Sequence, residues 1–240
     1  MIETALILCG GRATRLGALA AGRPKSLVEV EGVPFIRMQL ELLKRNGVRR
    51  AVLAVGHLGE AIEAEIGDGA RLGVAVRYSR DGPQRLGTGG AAFKALPLVA
   101  SPFFVLYGDS YLTCDYQEVA RHFERRPGAE GLMTVFRNEG RWGTSNIACA
   151  EGRIAKYDKA GRDPAMRHID YGLNILTRAA FAGFPEGEEF DLAAVFQHLL
   201  AAGRLAAFEV PERFYEIGSP EGLADLSAYL RATDSPPGPS

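Results

Sequence analysis

Apolar positions along the 240-residue chain recur in two ways, as short continuous runs and at helical spacing. The run "TALILC" (4–9) lacks polar alternation, the pattern of a strand buried on both faces. It stops at Gly10 and Gly11, and "SLVEVEG" then reads as a short strand closed by Gly32. Pro34 is placed to open a helix whose Ile36, Leu40 and Leu43 share one face and which Gly47 ends. "RAVLAVG" predicts the next strand, and Leu58, Ile62 and Ile66 predict a helix stopped by Gly67. "GVAVRYS" and "PFFVLYG" predict two more strands, with a helix between them from about Thr88 to Leu96. Such alternation predicts a mainly parallel, twisted sheet with helices on both faces.

The second half changes character. "GLMTVFRN", "TSNIACAEGRIAKYDK" and "HIDYGLNIL" are strand-like with little helix between them, which predicts an antiparallel or mixed extension of the same sheet. Leu192, Val195, Phe196, Leu199 and Leu200 return to helical spacing. A last helix is predicted at "SPEG", with Ser219 as N-cap and Pro220 in the first turn. No compositional break divides the chain, so one domain is expected over 1–232, with the proline-rich 233–240 as a disordered tail.

Charge and cysteine content narrow the partners. A net charge of −1 provides no global field for nucleic acid. No stretch reaches the length of a membrane span. Cys9, Cys114 and Cys149 lie far apart, which argues against a disulfide framework and for a cytoplasmic setting. Whether identical chains assemble is left open by the sequence.

Candidate chemistry begins in "LILCGGRATRLG" (6–17). A strand ends in two glycines, with Thr14 and Arg15 following and Lys25 close behind in "RPKS". Glycines let backbone N–H groups converge on an anion, and arginine adds a permanently charged fork, so the loop predicts a phosphate site. It is neither a P-loop nor a dinucleotide fingerprint. "GTGGAA" (87–92) does fit G-x-G-x-x-A, but "RDGPQRL" separates it from the preceding strand, so the tight strand-to-helix turn cannot form. Gly87 and Thr88 are better suited to a second wall of the pocket, facing a nucleobase. Asp109 and Glu216 each follow a predicted strand, and two such acids near a phosphate loop suggest a Mg²⁺ site. Asp115 and Glu118 read as a solvated helix start. In "RIAKYDKAGRDP", Lys159 is either part of a charged strand end or the cation of a second phosphate subsite. His57, His122 and His198 fall on predicted helices, while His168 adjoins this second subsite.

Taken in order, "LCGGRATRLG", "RPKSLVEVEGVP", "LGTGGA", "YGDS", "KYDK", "IDYGL" and "EIGSPEG" resemble the sugar-1-phosphate nucleotidylyltransferases, up to about Tyr229. Short members acting on heptose 1-phosphate with guanylyl transfer, or on N-acetylmuramate 1-phosphate with uridylyl transfer, are the most similar. The resemblance implies a Rossmann-like nucleotidyltransferase fold, with a mixed, mainly parallel sheet flanked by helices, and Mg²⁺-dependent chemistry. It implies that Cys9, Gly10, Gly11 and Arg15 meet the nucleotide, that Lys25 contacts the reacting phosphates, and that Gly87 and Thr88 face the base. Asp109 would be the metal aspartate, with Glu216 as the second ligand. Asp158, Lys159, Asp170 and Gly172 would hold the sugar phosphate. Four positions depart from the family pattern. Ala13 replaces a glycine, Glu216 and Asp158 exchange aspartate and glutamate, and Ala160 replaces a common proline.

The implied reaction joins an NTP, with GTP or UTP as the favoured donor, to a sugar 1-phosphate. A phosphate oxygen is already anionic and attacks the α-phosphorus without a general base, so positioning and charge neutralisation by Arg15, Lys25 and Asp109 would suffice. The rivals are transfer to another acceptor of molybdopterin type and a non-catalytic nucleotide sensor. A metal-dependent glycosyltransferase fits less well, because "GDSYLTCD" lacks D-x-D.

Overall fold

The computed structural model describes residues 1–11, 16, 22–150, 152–161 and 163–234. Arg15, Ala13 and the final six residues of the proline-rich tail therefore lie outside the described residues. The chain runs β1 (Thr4–Leu8), β2 (Glu29–Val30), β3 (Val33–Pro34), α1 (Phe35–Arg45), β4 (Arg50–Val55), α2 (Gly59–Ile66), β5 (Ala75–Arg80) and α3 (Gly87–Ala95). It continues through β6 (Phe103–Tyr107), β7 (Ser110–Tyr111), α4 (Tyr116–Glu124), β8 (Gly131–Arg137), β9 (Ile147–Ala150) and β10 (Arg153–Tyr157). The last elements are β11 (His168–Asp170), β12 (Leu173–Leu176), α5 (Leu192–Ala201), β13 (Leu205–Glu209), β14 (Tyr215–Glu216) and α6 (Pro220–Asp234).

Strands β5, β4, β1 and β6 are parallel neighbours in that order. Beyond β6 the sheet turns antiparallel through β12 to β8, and β13 adds a parallel strand on the other edge of β8. One sheet thus runs through both halves of the chain. The continuous apolar run of β1 has a direct cause. Leu6 and Leu8 face the core beneath α3 and α5, while Ala5, Ile7 and Cys9 face the core beneath α1, α2 and α4. Helix α1 buries Phe35, Ile36, Leu40 and Leu43, each worth about 1.5–3 kcal/mol of transfer free energy. Ser219 caps α6 as expected, its hydroxyl accepting from the Gly222 N–H at 3.1 Å. Asp115 caps α4, accepting from the Gln117 and Glu118 N–H groups. Among the described residues no helix is long and apolar enough to cross a membrane.

Several expectations need correction. Leu58 is 41% exposed and precedes α2 with φ +64°, because the chain must turn sharply out of β4 before the helix can start. His57 accordingly lies in a turn instead of a helix. The strand in "SLVEVEG" is only two residues long and pairs with β3 in a hairpin outside the main sheet. "HIDYGLNIL" is broken at Gly172, whose φ of +100° divides β11 from β12. Both pieces stay paired with β8, but on the other side the partner changes from β6 for β12 to β9 for β11. The sheet therefore opens where β6 ends.

The glycines of "GTGGAA" are packing devices. The Phe190 carbonyl accepts from the Gly89 N–H at 2.9 Å and the Gly90 N–H at 3.3 Å, so the N-terminus of α3 spends its amides on the segment leading into α5. A Cβ on Gly90 would stand 2.5 Å from the Glu188 carbonyl oxygen. Gly90→Ala should therefore lower stability by about 1–3 kcal/mol, read as a lower urea midpoint at unchanged m. Gly11→Ala, where a Cβ meets nothing within 4 Å among the described residues, should leave the midpoint in place. Equal midpoints for the two variants would contradict the packing role.

Candidate active site

The carboxyl ends of the four parallel strands feed one cleft of about 600 Å³. This is where open α/β sheets take ligands. Cys9, Gly10 and Gly11 follow β1, Asp81 follows β5, and Tyr107, Gly108 and Asp109 come from the end of β6. Gly87 and Thr88 open α3 on one wall, while Lys159 and Asp191 line the cleft from the second half of the chain.

Two of these strand ends nearly touch. The Gly108 N–H donates to the Leu8 carbonyl at 3.0 Å. A Cβ at Gly108 would stand 2.8 Å from that same oxygen, so the turn carrying Asp109 closes on the glycine loop only because residue 108 has no side chain. Lys25, in a short 3₁₀ turn, then reaches the Asp109 carboxylate with Nζ–Oδ2 at 2.5 Å. The two side chains are 13% and 26% exposed, so the pair borders the cleft without being sealed from it. Burial holds the Cys9 thiol well above its ordinary range, with the Asp109 charge as a second cause. Cys9 therefore lines the site as a neutral group.

Around Lys159 the arrangement is more acidic than the sequence implied. Lys159 is ion-paired with Asp191, which also caps α5 by accepting from the Ala193 N–H at 3.0 Å. Burial raises the Asp191 carboxyl, but Lys159, the Ala193 N–H and the Thr88 hydroxyl outweigh it and hold it below the usual carboxylate range. Thr88 also accepts from the Leu192 N–H at 2.9 Å. Asp170 accepts from the Gly172 N–H at 3.0 Å and the Asn174 amide at 3.1 Å, at the opening where β11 and β12 part. Burial pushes its carboxyl up to about 6 against those two donors and Lys159.

Several expected residues are not among those that line the cleft, Asp170 and Gly172 included. Asp158 turns its carboxylate back to the Ala160 N–H at 2.9 Å and does not line the cleft, because the chain needs that acceptor to turn after β10. Glu216 is exposed and stands opposite Ser110 in the β14–β7 ribbon, one residue from Asp109, but is not among the cleft-lining residues. His168 faces Glu209 at 3.7 Å in a separate groove. Conversely, Asp81, Arg85, Glu189 and Asp191 line the cleft and were not anticipated. Asp81 is half-buried against Gly10 and Gly56, and burial raises its carboxyl despite Lys94. The "D" of "RDGPQRL", an acid immediately after a strand, was the available signal for it.

A divalent metal fits part of this arrangement. Asp109 offers hard carboxylate oxygens partly exposed at the cleft, and Glu216 stands across the ribbon from Ser110, the residue next to Asp109. Among the described residues no group of three or more His, Cys, Asp or Glu could hold a metal by itself. Mg²⁺ does not require one, since waters and phosphate oxygens complete its shell.

The Asp170 carboxyl holds its proton to higher pH when folded than when unfolded, so folding takes up a proton and stability falls as pH rises through about 6. Asp170→Asn lacks that dependence. Its urea midpoint relative to the unsubstituted protein should shift in the variant's favour as pH is raised through this range. A gap independent of pH would contradict the buried carboxyl.

The sequence model of the family described as Nucleotidyl transferase matches residues 4–158, the segment that supplies most of this cleft. D-glycero-alpha-D-manno-heptose 1-phosphate guanylyltransferase of Campylobacter jejuni is 30% identical over 217 residues, 90% of this chain and 95% of that enzyme. Mannose-1-phosphate guanylyltransferase catalytic subunit beta of Xenopus tropicalis is 29% identical over 235 residues, 95% of this chain but 65% of that longer protein. Among solved structures, HddC from Yersinia pseudotuberculosis shares the fold, with a TM-score of 0.79 at 24% identity over 95% of this chain and 100% of its own. A match that starts in β1 and runs across the glycine loop, Lys25, the α3 wall and Asp109 leaves one conclusion: the chain belongs to the nucleotidyl transferase family.

Proposed function

We propose that the protein transfers a nucleotidyl group from an NTP to a sugar 1-phosphate, releasing pyrophosphate. The observation that carries this reading is the pairing of cations with acids in one cleft, Lys25 with Asp109 and Lys159 with Asp191. Two mutually repelling anions must be brought together, and each needs a cation. Lys25 offsets the charge of the reacting phosphates, and Lys159 holds the phosphate of the acceptor. Gly10 and Gly11 present backbone N–H groups to the triphosphate, and Arg15 offsets charge on the departing pyrophosphate. Asp170 and Gly172 border the sugar. The acceptor oxygen is already anionic, so no side chain has to remove a proton from it. Mg²⁺, held by Asp109 with Glu216 beside it, would neutralise phosphate charge when bound. The unpaired thiols Cys9, Cys114 and Cys149 support a cytoplasmic setting.

Asp81 supports GTP as the preferred donor. Asp109 and Asp191 each hold a cleft lysine, whereas Asp81 is not ion-paired with either of these lysines, so its carboxylate suits the N–H donors of a base better than a phosphate. The guanine edge carries two adjacent N–H donors that a carboxylate accepts together, whereas uracil has one. The names of the relatives from Campylobacter and Xenopus point the same way.

The test is pyrophosphate release with Mg²⁺ over a grid of NTPs against heptose, hexose and N-acetylhexosamine 1-phosphates. Release dependent on both substrates is expected, and GTP should give the highest rate. Silence across the grid with no NTP bound would overturn the reading. Lys25→Ala and Asp109→Asn should each lower kcat by about 10²- to 10³-fold, the effect of removing one charge-stabilising group from a transition state, while the melting temperature shows that the variants fold. Asp81→Asn should lower kcat/KM for GTP by about 10- to 100-fold, the loss of a charge-assisted hydrogen bond, with a smaller effect on other NTPs. An equal loss for every NTP would remove Asp81 from base recognition.

A further inference from the structure

The buried face of α1 has one member that does not belong to an apolar stripe. Phe35, Ile36, Leu40 and Leu43 fill it, and Gln39 sits among them at 2% exposure. A buried side-chain amide is unfavourable unless its hydrogen bonds are made. Here only the nitrogen end is satisfied. Nε2 donates to the Tyr107 carbonyl and to the Ser110 carbonyl, both at 2.9 Å. Oε1 is buried and has no partner among the described residues. Leucine or methionine would fill this volume and spare the unpaired Oε1, so what the amide adds beyond packing is its two bonds to the Tyr107 and Ser110 carbonyls.

The two carbonyls it grips bracket Gly108 and Asp109. Both amide hydrogens are thus spent on the ends of the turn that presents the Asp109 carboxylate. Two backbone ties to that turn come from other directions: the Gly108 N–H donates to the Leu8 carbonyl at 3.0 Å, and the Ile217 N–H donates to the Asp109 carbonyl at 2.9 Å, while the Ser110 hydroxyl reaches the Asp109 carboxylate at 3.4 Å. The two backbone bonds set where the turn sits between β1 and the β14 side. The Gln39 bonds set the separation of its two ends, and through it the direction of the Asp109 side chain toward Lys25.

We infer that Gln39 is a positioning residue for the reaction: its side-chain amide fixes the 107–110 turn so that the Asp109 carboxylate faces the reacting phosphates. It touches neither substrate, and the inference rests on the role proposed above for Asp109. Misplacement of a reacting-site group by about 1 Å costs on the order of 10²-fold in rate, so the effect should appear in turnover more than in folding.

Gln39→Met keeps the volume and removes both hydrogen bonds. Gln39→Asn keeps a donor but withdraws it by one methylene. kcat and KM are measured for both, together with the melting temperature and the affinity for Mn²⁺ in the presence of GTP, read by electron paramagnetic resonance. The expected result for Gln39→Met is a loss of about 10- to 100-fold in kcat, weaker Mn²⁺ binding and little change in KM for the NTP, with Gln39→Asn intermediate. Should Gln39→Met melt too low to assay, the Gln39→Asn result decides alone. Turnover and Mn²⁺ affinity like those of the unsubstituted protein in a folded variant would overturn the inference. Asp109→Asn, run alongside, separates the two levels. If it is inactive while the folded Gln39 variants are fully active, only the positioning role falls. If Asp109→Asn is itself fully active, the reading of the site falls first.

Discussion

Negative charge is the constraint on which this cleft is built. A triphosphate and a phosphorylated acceptor repel one another, and an acid placed between them would make matters worse unless a cation is held against it. The Lys25–Asp109 contact sets a cation against the acid at the end of β6. It also dictates much of the surrounding architecture. Lys25 comes from a turn between β1 and β2, and Asp109 from the end of β6, so the pair forms only if these segments close on each other. Closure depends on Gly108 lying against the Leu8 carbonyl, and on β14 pairing with β7 to carry the Ile217 N–H onto Asp109. Remove any of these and the acid still exists, but no longer at the lysine.

Most of the fold was legible because burial leaves periodic marks. The runs in β1, β4 and β6 are buried on both faces and show no alternation, while α1 and α5 keep their apolar spacing. What could not be read follows from the same physics. Strand β13, "LAAFE", lies at a sheet edge and is only partly buried, so its pattern is too weak to announce a strand. The break between β11 and β12 depends on which neighbour is available on each side, a tertiary fact with no local signal beyond Gly172. Leu58 has the right spacing for a helix face but sits in the turn that feeds it.

The site was legible where chemistry and backbone coincide. Gly10, Gly11, Lys25, Gly87, Thr88, Asp109 and Lys159 all line one cleft, although they span most of the chain. Asp81 and Asp191 escaped notice because an acid on a loop is usually solvated, and only the fold turns these two inward. Gln39 left a clearer trace. A polar residue three positions after Ile36 and one before Leu40 interrupts the buried stripe of α1, and such an interruption is informative because amphipathic helices rarely spend a core position on an amide. Asp158 shows the opposite error. Its place beside Lys159 suggested a shared task, but both residues lie in the turn after β10, and the Asp158 carboxylate is used by that turn.

The glycines of "GTGGAA" show why motif and context have to be read together. By spacing alone they fit a dinucleotide turn, in which helix N-terminal amides hold a pyrophosphate. Here the Phe190 carbonyl occupies two of those amides, and the missing side chains make room for the segment that carries it. That substitution has a chemical consequence. The same segment continues into Asp191, which receives the Thr88 hydroxyl and holds Lys159. The α3 wall and Lys159 are therefore joined through one carboxylate. A change that loosens the contact between α3 and the 188–191 segment would disturb both ends of the cleft at once, whereas a dinucleotide-type turn, spending its amides on the ligand, would leave the far lysine untouched.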